Sequence, residues 1–184
     1  MVKVKRLHED AVIPRYAKSG DSGFDLVAVE DVIIEPGETA VVKTGLAFEI
    51  PNGYEMQIRP RSGISRKTKL RVVLGTIDSG YRGEVGVIVD NIWQDTDRET
   101  SRFQLLDGRS EYSGGTYYVK GTYKIRKGDR IAQGVLAAVG HTTFEEVEEL
   151  SESERGEDGY GSTGMNIPGQ LEFDFENGDV YLVH

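Results

Sequence analysis

Short runs rich in Val, Ile and Tyr recur along the chain between Gly, Asp, Asn and Pro punctuation, and no stretch sustains a helical period. The runs are Val2–Leu7, Phe24–Val29, Val32–Ile34, Ala40–Ile50, Tyr54–Ile58, Leu70–Leu74, Glu84–Val89, Tyr117–Val119, Tyr123–Ile125 and Ile131–Val139. Brief β-branched segments bounded by turn formers predict strands, and many of them predict an all-β sandwich, jelly roll or barrel. In Val85–Val89 the valines alternate with Gly86 and Ile88, which predicts a strand covered on both faces. One helix is predicted, Arg61–Thr68, with Pro60 just outside its first turn.

Two segments break the pattern. Trp93–Lys127 is long, polar and mixed in charge, and reads as an insertion between core strands. Its turn signals at Asp107–Gly108 and Ser113–Gly115 predict hairpins. From Thr143 onward Glu145, Glu146, Glu148, Glu149, Glu152, Glu154, Glu157 and Asp158 oppose only Arg155, the composition of a solvated tether. The predicted organisation is a β domain over 1–150, an arm over 151–164 and a tail over 165–184 with renewed hydrophobicity.

Composition narrows the function. The chain has 184 residues, the length of a single domain. With 22 basic and 31 acidic residues its net charge is −9, so direct contact with duplex DNA or an anionic membrane is disfavoured. There is no cysteine, which excludes disulfides, thiolate metal sites and a cysteine nucleophile. No apolar run approaches the ~20 residues of a membrane span, and MVKVKRLHED lacks a signal-peptide core. A cytoplasmic protein is expected. His8, His141 and His184 are dispersed, without metal-ligand spacing.

Three clusters can carry chemistry. PRSGIS (Pro60–Ser65) places an Arg, two hydroxyls and a Gly at a helix start. It is either a plain loop-to-helix turn or a phosphate cradle, with guanidinium and exposed N–H groups as donors. RGEDGYGSTG (Arg155–Gly164) is either a flexible linker or an arm that orders over a nucleotide, its glycines letting amides approach a polyphosphate. GTIDSGYRGEVG (Gly75–Gly86) reads as a β-hairpin carrying a carboxylate, Asp78, and a phenol, Tyr81. Asp before Ser-Gly is also an ordinary turn former.

Taken in order, five segments resemble the motifs of the trimeric dUTPase family (deoxyuridine triphosphate nucleotidohydrolases). They are GDSGFDL (Gly20–Leu26), RPRSGIS (Arg59–Ser65), LGTIDSGYRGEVG (Leu74–Gly86), KGDRIAQ (Lys127–Gln133) and RGEDGYGSTG (Arg155–Gly164). The resemblance implies a β jelly roll forming a homotrimer with active sites between subunits. One chain would give the first, second and fourth motifs, a second chain the third, and a third chain the fifth as a closing arm. The implied reaction is dUTP and water giving dUMP and pyrophosphate with Mg2+, keeping uracil out of DNA and supplying dUMP for dTMP synthesis.

The same resemblance assigns roles. Asp78 would be the general base activating a water for attack on the α-phosphorus. Tyr81 would pack on the deoxyribose and exclude a 2′-hydroxyl. The backbone of Gly75, Thr76 and Ile77 would read the uracil edge, rejecting cytosine by polar mismatch. Arg61, Ser62 and Gly63 would hold the α- and β-phosphates, with Gln133 near the α-phosphate. Arg155, Gly161, Ser162 and Thr163 would clasp the γ-phosphate, and Tyr160 would cap the uracil ring. Asp25 would reach the metal through water, the ion being held mainly by phosphates.

The chain departs from the family pattern in places. Val72 or Val73 stands where many relatives carry asparagine, and Tyr160 where Phe is usual. The Trp93–Lys127 stretch resembles the extra segment of some bacteriophage dUTPases, which can also bind a repressor protein; a plain surface hairpin is the other reading. Gln170–Phe175, QLEFDF, is similar to peptides that dock on bacterial sliding clamps, against a tail packing on its own trimer. Two rival functions stand beside hydrolysis: dCTP deamination on the same fold, against which the intact Thr76–Asp78 and Tyr81 segment argues, and a regulatory binding protein using the site as a nucleotide switch.

Overall fold

Alternation builds this protein. In β2 (Phe24–Val27) Phe24 and Leu26 are buried while Asp25 and Val27 are half-buried, and one face of each strand therefore joins a common core. The computed structural model describes residues 1–94, 98–159, 171–173 and 180–182. Before β2 lies β1 (Lys3–Arg6). After it come β3 (Val32–Ile34), β4 (Thr39–Lys43), β5 (Leu46–Glu49), β6 (Tyr54–Arg59) and the short helix α1 (Ser62–Lys67). Then follow β7 (Leu70–Val72), β8 (Gly75–Ile77), β9 (Gly86–Asn91), β10 (Glu99–Thr100), β11 (Arg102–Gln104) and β12 (Ser110–Tyr112). β13 (Tyr118–Val119), β14 (Tyr123–Ile125) and β15 (Arg130–Ala138) complete the compact unit Met1–Thr142. The unit Thr143–His184 holds β16 (Leu171–Phe173) paired antiparallel with β17 (Val180–Leu182).

Three sheets form the body of the first unit, in the orders β2-β15-β6-β8, β4-β9-β7 and β12-β11-β14-β3. One cluster joins them: Leu26, Met56, Ile58 and Ile131 from the first, Val42, Leu70, Val87 and Val89 from the second, Ile34, Tyr123 and Ile125 from the third. Each fully buried Leu, Ile or Val contributes about 1.5–3 kcal/mol relative to exposure, so this cluster dominates the stability. Asn91, almost fully buried, ties the sheets together. Its Nδ2 donates to the carbonyls of Ile34 and Gly121, and its Oδ1 accepts from the Trp93 amide.

Several expectations are corrected. The run Ala40–Ile50 is two strands, because Gly45 turns the chain at φ +65° and a Cβ there would lie 2.7 Å from the His8 Cβ. The strand β9 is covered on one face only: Val87 and Val89 are buried, whereas Ile88 is 43% exposed in the single chain. Of the predicted hairpins in the insertion, the Asp107–Gly108 turn does join β11 to β12. The Ser113–Gly115 turn joins no hairpin, since β13 pairs back with β10. The predicted insertion also runs too far: Tyr123 and Ile125 pair with β3 and sit in the core. Phe103 and Leu105 are buried, and Glu111 bonds Lys124 and Arg126, so the inserted segment is packed onto the body.

Candidate active site

The sheet β2-β15-β6-β8 places residues from four of the five motifs in adjacent rows. Asp25 lies opposite Gln133, which lies opposite Arg59. The next row is Phe24, Gly134, Ile58 and Gly75. Cross-strand neighbours share a face, so Asp25, Gln133 and Arg59 project together. Gly23 abuts this row: a Cβ there would lie 3.3 Å from the Gln133 Cβ.

Beyond β6, Pro60 ends the strand and Arg61 caps α1 in an extended conformation, φ −90° and ψ 129°. The Arg61 carbonyl accepts from the Ile64 and Ser65 amides, at 3.1 Å each. The first amides of the turn have no acceptor within the helix itself. The Arg61 side chain runs the other way: its Nε lies 2.9 Å from Asp25 Oδ1, an ion pair, and its Nη1 donates to the Arg130 carbonyl at 3.2 Å. Arg130 Nη1 lies 3.3 Å from Asp25 Oδ2. Ser62 and Gly63 are exposed, and a Cβ on Gly63 would meet nothing within 4 Å.

Two clefts flank this trio. One, of about 410 Å3, is lined by Arg61, Gly63, Lys67, Arg126, Asp129 and Arg130, with Leu105–Asp107 of the inserted segment as a further wall. The other, of about 590 Å3, has Asp25 and Arg130 against the Glu9–Ala17 loop. The first can hold anionic oxygens, because four cationic side chains converge there against two carboxylates.

The third motif is built differently. The Gly75–Gly86 segment is not the simple hairpin that its turn residues suggest. β7 and β9 are the paired arms, with Val72 opposite Val89 and the Val73 amide bonded to the Ile88 carbonyl. Residues 74–85 are their distended tip, and within it β8 crosses to pair with β6. Gly75 lies opposite Ile58 in this pairing, and a Cβ there would meet the Ile58 side chain at 3.5 Å, an ordinary contact. At the turn, the Tyr81 amide bonds to the Asp78 carbonyl at 3.1 Å. The Tyr81 hydroxyl donates to the Glu84 carbonyl at 3.0 Å, and its ring occupies the place a Cβ on Gly83 would take.

The direction of β8 matters. It runs antiparallel to β6, with Ile77 opposite Met56, so Asp78 is level with Glu55. Four residues separate that level from Arg59, roughly 13 Å at strand rise. Within one chain the structure therefore does not bring Asp78 to Arg61. The Asp78 carboxylate is exposed and takes no hydrogen bond among the described residues.

Arg155 belongs to the second unit, where its Nε donates to the Asp158 carbonyl at 2.9 Å. Tyr160, Gly161, Ser162 and Thr163 lie outside the described residues, as do Gln170 and Phe175 of the clamp-like peptide. No group of three His, Cys, Asp or Glu capable of caging a metal is present among the described residues. A single carboxylate beside an anion-holding cleft suits Mg2+ that takes most of its ligands from phosphates and water. No described helix is long and apolar enough to cross a membrane. Sequence reasoning missed Arg130, although its motif was in view. The apolar pair Ile131–Ala132 was the available signal.

The dUTPase family model matches residues 9–97 and 117–164, leaving 98–116 outside it. The chain is 41% identical over 166 residues to a deoxyuridine 5'-triphosphate nucleotidohydrolase of Clostridioides difficile, covering 89% of this chain and 98% of that protein. It is 38% identical to the solved Staphylococcus bacteriophage 80alpha dUTPase with dUpNHpp, with a TM-score of 0.85 and coverage of 89% and 98%. That structure is described as showing control of virulence-gene transfer by a G protein-like mechanism. A mutant dUTPase of phage phi11 of S. aureus, described with a structural Mg(II) ion, is 33% identical, with a TM-score of 0.78 and coverage of 83% and 99%.

Proposed function

The chain belongs to the dUTPase family, and from that premise we propose that it hydrolyses dUTP to dUMP and pyrophosphate at sites completed between copies of itself. The observation that carries this reading is the split within one chain. Asp25, Gln133 and Arg61 gather at one end of a sheet, while Asp78 is carried away from them by the direction of β8.

Arg61, with the amides of Ser62 and Gly63, holds the α- and β-phosphates, and Gln133 holds an α-phosphate oxygen from the neighbouring strand. Asp78 of a second copy accepts a proton from the attacking water, which needs a carboxylate free of cationic partners. The backbone of Gly75–Ile77 reads the uracil edge, and Tyr81 packs on the sugar. Arg155 and the Tyr160–Thr163 segment close over the γ-phosphate and base. Bound Mg2+ would neutralise phosphate charge, with Asp25 oriented towards its water shell. Catalysis is then positioning and electrostatic stabilisation of the leaving pyrophosphate.

An exposed apolar stripe supports assembly. Val41 (59% exposed) pairs with Ile88 (43%), and Val73, exposed as well, is bonded to Ile88 on the other side. Such a patch on a small domain marks an interaction face, and a homotrimer would cover it. The 98–116 segment supports a second reading, a surface for a repressor-like protein. It lies outside the family match yet is anchored by Phe103, Leu105 and Glu111.

The test is pyrophosphate release from dUTP with Mg2+, run beside dCTP with ammonia as the readout. Hydrolysis of dUTP alone is expected; ammonia from dCTP would mean a deaminase. Reversing exposed charges of this segment that line neither cleft, Arg98→Glu with Arg102→Glu, should leave hydrolysis in place and abolish capture by a partner repressor. Unchanged capture would end the second reading.

A further inference from the structure

Beyond lining the clefts, Arg130 has been given no role of its own, yet its side chain is placed by a local irregularity in β15. Opposite β2, Arg130 pairs with Val27 and Ala132 with Leu26, so Ile131 is an extra residue, a β-bulge. Ile131 and Ala132 are both buried, although successive strand residues ordinarily face opposite ways. Without the bulge Arg130 and Gln133, three positions apart, would project to opposite faces. With it, both share the face of Asp25. Three groups then interlock: Arg61 Nε on Asp25 Oδ1 at 2.9 Å, Arg130 Nη1 on Asp25 Oδ2 at 3.3 Å, and Arg61 Nη1 on the Arg130 carbonyl at 3.2 Å. The trio stands between the two clefts, with Arg61 lining one, Asp25 the other and Arg130 both.

We infer that Arg130 is a positioning residue for Arg61, acting through Asp25 and through its own carbonyl. A guanidinium has five N–H donors in a rigid fork. The Nη1 hydrogen bond to the Arg130 carbonyl and the ion pair of Nε with Asp25 hold the Arg61 fork in place and leave its remaining N–H donors for an anion. The two oxygens of Asp25 are divided between the guanidiniums, so Arg130 keeps Asp25 from swinging away from Arg61. The phosphate ligand is thus set before substrate arrives, and little ordering remains at binding. The inference rests on the reading of Arg61 as a phosphate ligand.

A double-mutant cycle decides it, read as affinity for dUpNHpp by calorimetry with and without Mg2+, on full-length wild type, Arg61→Ala, Arg130→Gln and the double variant. Arg130→Gln should weaken binding about fivefold in the wild-type background, the scale of a lost half-exposed ion pair. It should weaken binding less than twofold once Arg61 is gone, and Arg130→Lys should recover most of the loss. The difference between backgrounds should persist without Mg2+. An equal factor in both backgrounds would show that Arg130 acts independently of Arg61 and overturn the inference, as would no effect of Arg130→Gln where Arg61→Ala is weak. If Arg61→Ala binds like wild type, the phosphate role of Arg61 itself fails, a separate outcome. Should Arg130→Gln not fold, the same cycle with Asp25→Asn gives the answer: coupling to Arg61 supports the trio, additivity sinks it.

Discussion

The proposed phosphate end and the proposed water-activating end of this protein are constructed on opposite plans. At the first, Arg61 and Arg130 are locked to Asp25, both of whose oxygens are in ion pairs, and Gln133 lies opposite Asp25 on the next strand. At the second, Asp78 stands on a distended tip, exposed, with no acceptor or donor partner among the described residues. Groups that must grip a fixed polyanion gain from being preorganised within one fold. A base that must meet a water and a phosphorus opposite them can be brought by another copy.

The largest effect should come from splitting the two ends between chains. Asp78→Asn should lower kcat by about 10²–10⁴, the range for a lost general base, while still binding dUpNHpp. Arg61→Ala should also be nearly inactive. Co-refolding the two inactive variants should restore part of the activity, because some mixed sites receive both intact residues. Absence of any recovery would place Asp78 in its own chain's site and remove the comparison. Next in size, Ile88→Glu introduces charge into the exposed apolar stripe. It should give a folded monomer by light scattering that turns over dUTP poorly; an active trimer would free that face from assembly.

Gly63 separates stability from function. Nothing lies within 4 Å of a Cβ there, and alanine favours a helix over glycine by about 1 kcal/mol. Gly63→Ala should therefore keep or slightly raise Tm while increasing KM for dUTP, because the methyl intrudes where phosphate oxygens approach the backbone. An unchanged KM would move the phosphates off α1.

The smallest effect concerns the inserted segment. The Arg126 guanidinium bonded to Glu111, with Lys124 beside it, holds that carboxyl below its ordinary 4.5. The Lys127 amide and the Lys124 ammonium hold Asp31 below 3.8, and Asp31, ahead of Glu111, raises Lys124 above 10.5. Lowered acids stabilise fully above their ordinary values, and this is lost as pH falls through the lowered ones. The raised lysine stabilises fully below 10.5 and is lost as pH rises through its raised value. Hydrogen exchange of the β11 and β12 amides should therefore show added opening only below about pH 4.5 or above about pH 10.5, beyond the intrinsic pH dependence of exchange. Glu111→Gln should blunt the acid limb without altering dUTP turnover at neutral pH. An acid limb that persists unchanged would detach Glu111 from the docking of this segment.

What depends on local pattern was legible in the chain before any pairing was known. Alternating Val and Ile gave the strands, Pro60 and the residues after it gave α1, and the five motifs in order pointed to the family. Tertiary structure alone decided what depends on pairing. That β8 leaves the β7–β9 arms for β6, that Ile131 bulges and turns Arg130 toward Asp25, and that β14 belongs to the core and not to the insertion are all facts of register. Register follows from which distant strand offers the better buried face, and a shift of one residue exchanges the two faces; local composition carries no record of that competition.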